Sequence, residues 1–148
     1  MNILRGAFAG FAATIPMTAT MQAMRAALPQ ERTRPMPPRE IINRTVEKSG
    51  AGPAVDHDDR TLLTTIGHLA FGAAAGAVYA AVVGERRSTT LTGVVYGLAV
   101  WALAYGVGLP SLGLHPAAQD DTKDRNEVLI ASHVVWGATL GKMVEERF

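Results

Sequence analysis

His68 and His133 are the residues whose type and setting could do chemistry in an otherwise apolar chain. They begin the stretches "HLAFGAAAG" and "HVVWGATLG", which share an aromatic residue at the third following position, glycines at the fourth and eighth, and alanine at the fifth. An imidazole can ligate a metal, titrate near neutral pH, or donate and accept one hydrogen bond each while neutral. Three chemistries follow. The pair can tie two helices together by hydrogen bonds, and this structural role is the expectation. One histidine from each half of the chain can hold haem b as paired axial ligands, which is the alternative. The two rings can also serve a proton or small-solute path, with Pro16 freeing a helix carbonyl beside Thr14, Thr18 and Thr20.

Nothing else in the chain has the make-up of a catalytic or metal centre. There is no cysteine, which excludes disulfides, thiolate metal sites and cysteine nucleophiles. Ser132 and His133 are adjacent on a helix and face different sides, so they do not form a catalytic pair. The "VDHDD" run ending at Asp59 lacks the spacing of a cation loop and reads as a solvated connection. No strand-to-helix glycine loop offers a nucleotide cradle, and a net charge of +1 gives no reason to expect nucleic acid. The expectation is a protein that is not an enzyme, with no catalytic residues, no metal and no required cofactor.

The elements that must position the histidines are set by the spacing of charge. Asp, Glu, Lys and Arg are absent from 6–24, 61–84, 88–119 and 128–141, although they make up 18% of the chain. About 20 apolar residues cross a bilayer, and Lys142 can extend the last run by snorkelling. Four transmembrane helices are expected at about 3–24, 61–84, 90–114 and 127–144 of a single domain, 1–148. Arg5 before an apolar run resembles a secretory signal, but the segment has a repeat partner later in the chain, which argues against cleavage.

The repeat relates Leu4, Gly6, Gly10 and Ala12 to Leu91, Gly93, Gly97 and Ala99 at one offset, and the two histidine stretches at another. The fold class expected is therefore all-α, an integral membrane four-helix bundle made of two parallel-repeated two-helix hairpins, 1–86 and 87–148. A pseudo-twofold axis along the membrane normal would place both histidines at one depth. Each helix also carries a Gly-x-x-x-Gly: Gly6/Gly10, Gly72/Gly76, Gly93/Gly97 and Gly137/Gly141. Lipid supplies no hydrophobic force between helices, so small-residue seams of this kind are what lets them pack. The function expected is that of an accessory or structural subunit packing through these seams, against itself as a homo-oligomer or in a larger membrane complex, with membrane lipids as its other partners.

The first connection carries Pro37 and Pro38, a partly apolar side of Ile41, Ile42 and Val46, and Gly50. It reads as a short helix in the interface plane or as a connector packed over the bundle mouth. Lys and Arg number nine in the first and third loops and five on the opposite side, which places those loops in the cytoplasm. Tyr79, Tyr96, Trp101 and Tyr105 read as interface belts or partner-facing surface.

"GAFAGFAATIPMT", "PMPPREI", "HLAFGAAAGAVY", "GLAVWALAYGVGLPSLGLHP" and "NEVLIASHVVWG" together resemble the YagU-like family of small bacterial inner-membrane proteins. The resemblance covers most of the chain outside 49–60 and the last few residues. It implies four helices and a multi-pass location in the bacterial inner membrane, and it carries no catalytic or ligand residues.

Overall fold

A computed structural model describes residues 3–29, 34–84 and 87–145. Arg32, Arg86 and Arg147, which enter the loop-charge comparison, lie outside the described residues. The fold is all-helical, with no strand among the described residues. Its elements are α1 (Ile3–Ala27), α2 (Pro37–Lys48), α3 (His57–Val82), α4 (Thr90–Leu103), α5 (Leu109–Ser111) and α6 (Lys123–Glu145). A widened π turn, Ala104–Gly108, joins α4 to α5.

The helix ends differ from the expected ones for local reasons. α3 starts at His57, before the expected 61, because the Asp56 carboxylate accepts from the Asp59 amide and the Asp59 carboxylate from the Asp56 amide. This reciprocal cap, with Asp58 and Asp59 in the first turn, suits the positive end of the helix dipole. The "VDHDD" run is thus a helix start and not simply a solvated loop. α6 likewise begins at Lys123, ahead of the expected 127, where the Thr122 hydroxyl accepts from the Arg125 amide. The π turn precedes Pro110, whose ring and missing N–H cannot continue a regular α-helix. Gly113, at φ +63, then ends the run short of the expected 114.

Two helix pairs meet at backbone distance. A Cβ placed on Gly10 would lie 2.8 Å from the Gly76 Cα, and one on Gly6 would meet the Gly76 carbonyl oxygen at 2.5 Å, so α1 and α3 touch through glycine. A Cβ on Gly93 would lie 2.8 Å from the Gly141 Cα and one on Gly97 3.2 Å from the Gly137 Cα, which gives α4 and α6 the same kind of contact. All eight glycines are therefore engaged within the chain, and these seams are not open to a partner.

The halves join unequally. α1 packs along α6, where Trp136 donates through Nε1 to the Gly10 carbonyl at 3.2 Å. A twofold relation would pack α3 along α4 in the same way, yet these two helices stay apart over most of their length. Their bridge is aromatic: Tyr79 and Tyr96 lie 5.0 Å apart, and Tyr96 donates to the Ala75 carbonyl. One inter-hairpin seam, α1 with α6, is therefore closed, and its counterpart, α3 with α4, is open.

The tyrosines do not form belts. Tyr79 is fully buried, with its hydroxyl 2.9 Å from Ser88 Oγ and 3.0 Å from Thr92 Oγ1, and Tyr105 is also buried. Hydroxyl partners within the fold let Tyr79 sit inside it. Large apolar side chains instead face outward on α1, α3 and α4, among them Phe8, Ile15, Ile66, Val78, Val95 and Leu103. α3 and the run Thr90–Ser111 are long and apolar enough to cross a membrane, and little of each is buried. α6 opens with Lys123, Asp124, Arg125 and Glu127, which limits its charge-free stretch to 128–141.

Candidate functional site

The gap between α3 and α4 opens into a cavity of about 230 Å³ that both His68 and His133 line. α1 contributes Met17 and Met21, α3 Phe71, and α6 Trp136, while Pro38, Ile41 and Ile42 of α2 close one end. α2 is held across the mouth from several sides. Arg39 donates to Thr61 Oγ1 at 2.8 Å, Arg60 to Asn43 Oδ1 at 3.2 Å, and Lys48 to the Leu112 carbonyl at 2.7 Å. Of the two expectations for this segment, the packed connector over the mouth matches these contacts.

No charged side chain lines the cavity. Several of its polar groups are already engaged with backbone carbonyls: the Thr14 hydroxyl with Gly10, the Thr64 hydroxyl with Arg60, and Trp136 Nε1 with Gly10. The His68 ring, the far side of the His133 ring and the Tyr105 hydroxyl have no hydrogen bond among the described residues. His133 is 5% exposed, and its Nδ1 lies 2.7 Å from the Leu129 carbonyl. A carbonyl only accepts, so Nδ1 carries the proton; with no acid lining this apolar cavity to hold a charged ring, the imidazole is neutral and presents a lone pair at Nε2. Backbone bonding of one ring nitrogen is also how a ligating histidine is oriented. Of the seam glycines, Gly72 alone also lines the cavity, and the other seven lie away from it.

A second group of residues adjoins the cavity, and sequence reasoning passed over it. Arg125 is buried and donates through Nη2 to Glu40 Oε2 at 2.7 Å and to the Pro35 carbonyl at 2.9 Å. Its Nε lies 3.4 Å from Asp121 Oδ2, and Arg34 reaches Asp121 Oδ1 at 3.3 Å. His115 is buried beside them, with Nε2 at 3.8 Å from Asp121 Oδ2 and 3.9 Å from Glu40 Oε2. Buried His115 Nε2 and Asp121 Oδ2 make no hydrogen bond among the described residues. The Tyr105 ring separates this cluster from the cavity. It meets His115 edge-on at 5.0 Å and His133 edge-on at 5.9 Å.

"HPAAQDDTKDRNE" forms the third loop and the start of α6, and although it is rich in polar residues, its His115, Asp121 and Arg125 side chains are buried. The available signal was the pairing of an acid after the Pro37–Pro38 helix start with a base in the first turn of the last helix. Loop composition alone does not show which charges meet. No group of acids and histidines among the described residues is arranged to hold a metal ion.

A family model described as "Protein of unknown function (DUF1440)" matches residues 29–141, which include α2, the charged cluster and the cavity lining other than Thr14, Met17 and Met21 of α1. No curated protein and no solved structure matches the chain.

Proposed function

This chain belongs to the DUF1440 family of proteins of unknown function, and from that premise we propose that it is a multi-pass membrane protein whose four long helices all cross the bilayer. It acts as a non-enzymatic accessory subunit. The observation that carries this reading is the outward row of large apolar side chains on α1, α3 and α4. In water such a surface would be an association liability, whereas lipid or an apolar partner covers it without cost. The interior fits the same solvent, because the phenols of Tyr79 and Tyr96 and the Trp136 indole are bonded inside. α6 need not be strongly apolar, since α1 and α4 shield it. With the glycine seams engaged within the chain, a partner or second copy meets the outer faces of α1, α3 and α4.

The resemblance to the YagU-like family supports a bacterial inner membrane, and the excess of Lys and Arg in the first and third loops supports their cytoplasmic placement. Fractionation tests the reading. The protein is expected to stay with membranes through alkaline carbonate and high salt and to leave only with detergent. Release by carbonate alone would overturn it.

The shared cavity of His68 and His133 favours a second reading, a small b-type cytochrome. Two features oppose it. The cavity offers no cation for the propionates. Its volume of about 230 Å³ also falls below the roughly 300–1,000 Å³ of pockets for drug-sized ligands, and a macrocycle needs at least that much. Purified protein is expected to lack a Soret band even after haem supplementation. A band lost in His133→Ala would replace the accessory reading. The position of Tyr105 between the cavity and the ionised cluster would serve a proton path. Unchanged flux into liposomes with His68→Ala and His133→Ala removes that reading.

A further inference from the structure

We propose that the cavity between α3 and α4 is a binding site for an uncharged lipophilic alcohol or phenol, entered sideways from the bilayer, whose hydroxyl donates to Nε2 of His133. The proposal rests on the membrane reading above, because the opening between α3 and α4 faces lipid only if those helices cross it.

The polar atoms of the cavity define the ligand. Thr14, Thr64 and Trp136 have their donors engaged with backbone carbonyls and offer no second proton. His133 has its Nδ1 proton fixed on the Leu129 carbonyl, so its remaining nitrogen accepts. An acceptor facing an apolar cavity, on a ring of a residue only 5% exposed, calls for a donor from the ligand. The Tyr105 hydroxyl and the His68 ring, which line the same space, can serve the oxygen of that donor. A carboxylate or phosphate head is disfavoured, since no Lys or Arg lines the cavity. A ketone, ester or ether can accept from Tyr105 but leaves Nε2 unsatisfied.

Shape points the same way. The volume of about 230 Å³ accommodates a head group and not a whole lipid, so the apolar tail extends through the opening past Phe71, which is 55% exposed. Ile41 and Ile42 of α2 close the end under the bundle mouth, which leaves the lateral opening for the tail while the hydroxyl meets His133 inside.

The test uses the full chain in phosphatidylcholine nanodiscs and two probes that differ only at the hydroxyl, 4-dodecylphenol and 4-dodecylanisole. Affinities come from the shift of the melting transition with probe concentration. The phenol is expected to bind at least about tenfold more tightly than its methyl ether, the size of effect expected when a buried acceptor gains or loses its partner. His133→Phe should erase that preference. Because this variant also removes a bond to the backbone, a second variant keeps the test decisive if it fails to fold. Gly67 lines the cavity, and a Cβ there meets only Ile42 Cδ1, at 3.6 Å. Gly67→Phe should therefore fold, fill the space and abolish binding of both probes. Equal affinities in the parent protein, a preference that survives His133→Phe, or undiminished binding in Gly67→Phe each overturn the proposal. Carbonate extraction of the same preparation separates this from failure of the membrane reading: membrane retention with equal probe affinities sinks the binding site alone.

Discussion

At the scale of the residue, glycine positions that look alike in sequence differ sharply in what surrounds them. A Cβ on Gly76 would meet the Gly10 Cα at 2.7 Å and the Gly10 amide nitrogen at 2.8 Å, which are backbone atoms that cannot rotate aside. Gly76→Val is expected to cost roughly 3 kcal/mol or more, at the upper end of overpacking penalties, and to lower the melting temperature of the detergent-solubilised protein. Gly67 lies on the same helix, where an added methyl meets only the end of Ile42. Gly67→Ala is expected to raise the melting temperature, since alanine is favoured over glycine in a helix by up to about 1 kcal/mol. Equal effects of the two substitutions would show that the α1/α3 seam does not carry the packing.

At the scale of the element, α2 is positioned by charge at one end and by apolar contact along its face. The Arg125 guanidinium holds Glu40 of α2 and lies against Asp121, with side-chain exposures of 1%, 16% and 3%. Breaking a buried ion pair by removing one partner costs about 3–5 kcal/mol, because the remaining charge is left uncompensated. Arg125→Met should therefore destabilise the protein, by less than that because Arg44 stays 3.0 Å from Glu40 and Arg34 3.3 Å from Asp121, and speed tryptic cleavage in α2 at Arg39 and Arg44. Adding Glu40→Met should recover part of the loss by removing a carboxylate that has lost its buried partner and keeps only the half-exposed Arg44. If the double variant is no better than the single one, the Glu40 contact is not what anchors α2.

At the scale of the whole molecule, the absence of cysteine allows the topology to be read by single-cysteine labelling. Glu47→Cys and Lys123→Cys, both at exposed positions, should react with a membrane-impermeant maleimide from the same side. Arg87→Cys, exposed at the opposite end of the hairpins, should react from the other side. The basic loops predict that the first pair is cytoplasmic. Labelling of all three from one face would rule out four crossings.

The sequence by itself determined the helices, because charge-free runs, prolines and glycines act locally on the backbone. The expected and observed starts of α3 and α6 differ by about a turn, where side-chain caps at Asp56 and Thr122 decide the boundary, and the third expected helix is interrupted by the π turn at Ala104–Gly108. Only the tertiary structure decided which seams close. Both pairs of hairpin helices carry glycines in matching patterns, yet α1 packs along α6 while α3 and α4 part to leave a cavity. The reason is that packing depends on side-chain volumes and on what the remaining chain inserts between helices, here the α2 face and the Tyr79/Tyr96 bridge. The same holds for Glu40, His115, Asp121 and Arg125. Their types were legible as loop charges, but their convergence over long sequence separations is a property of the folded chain.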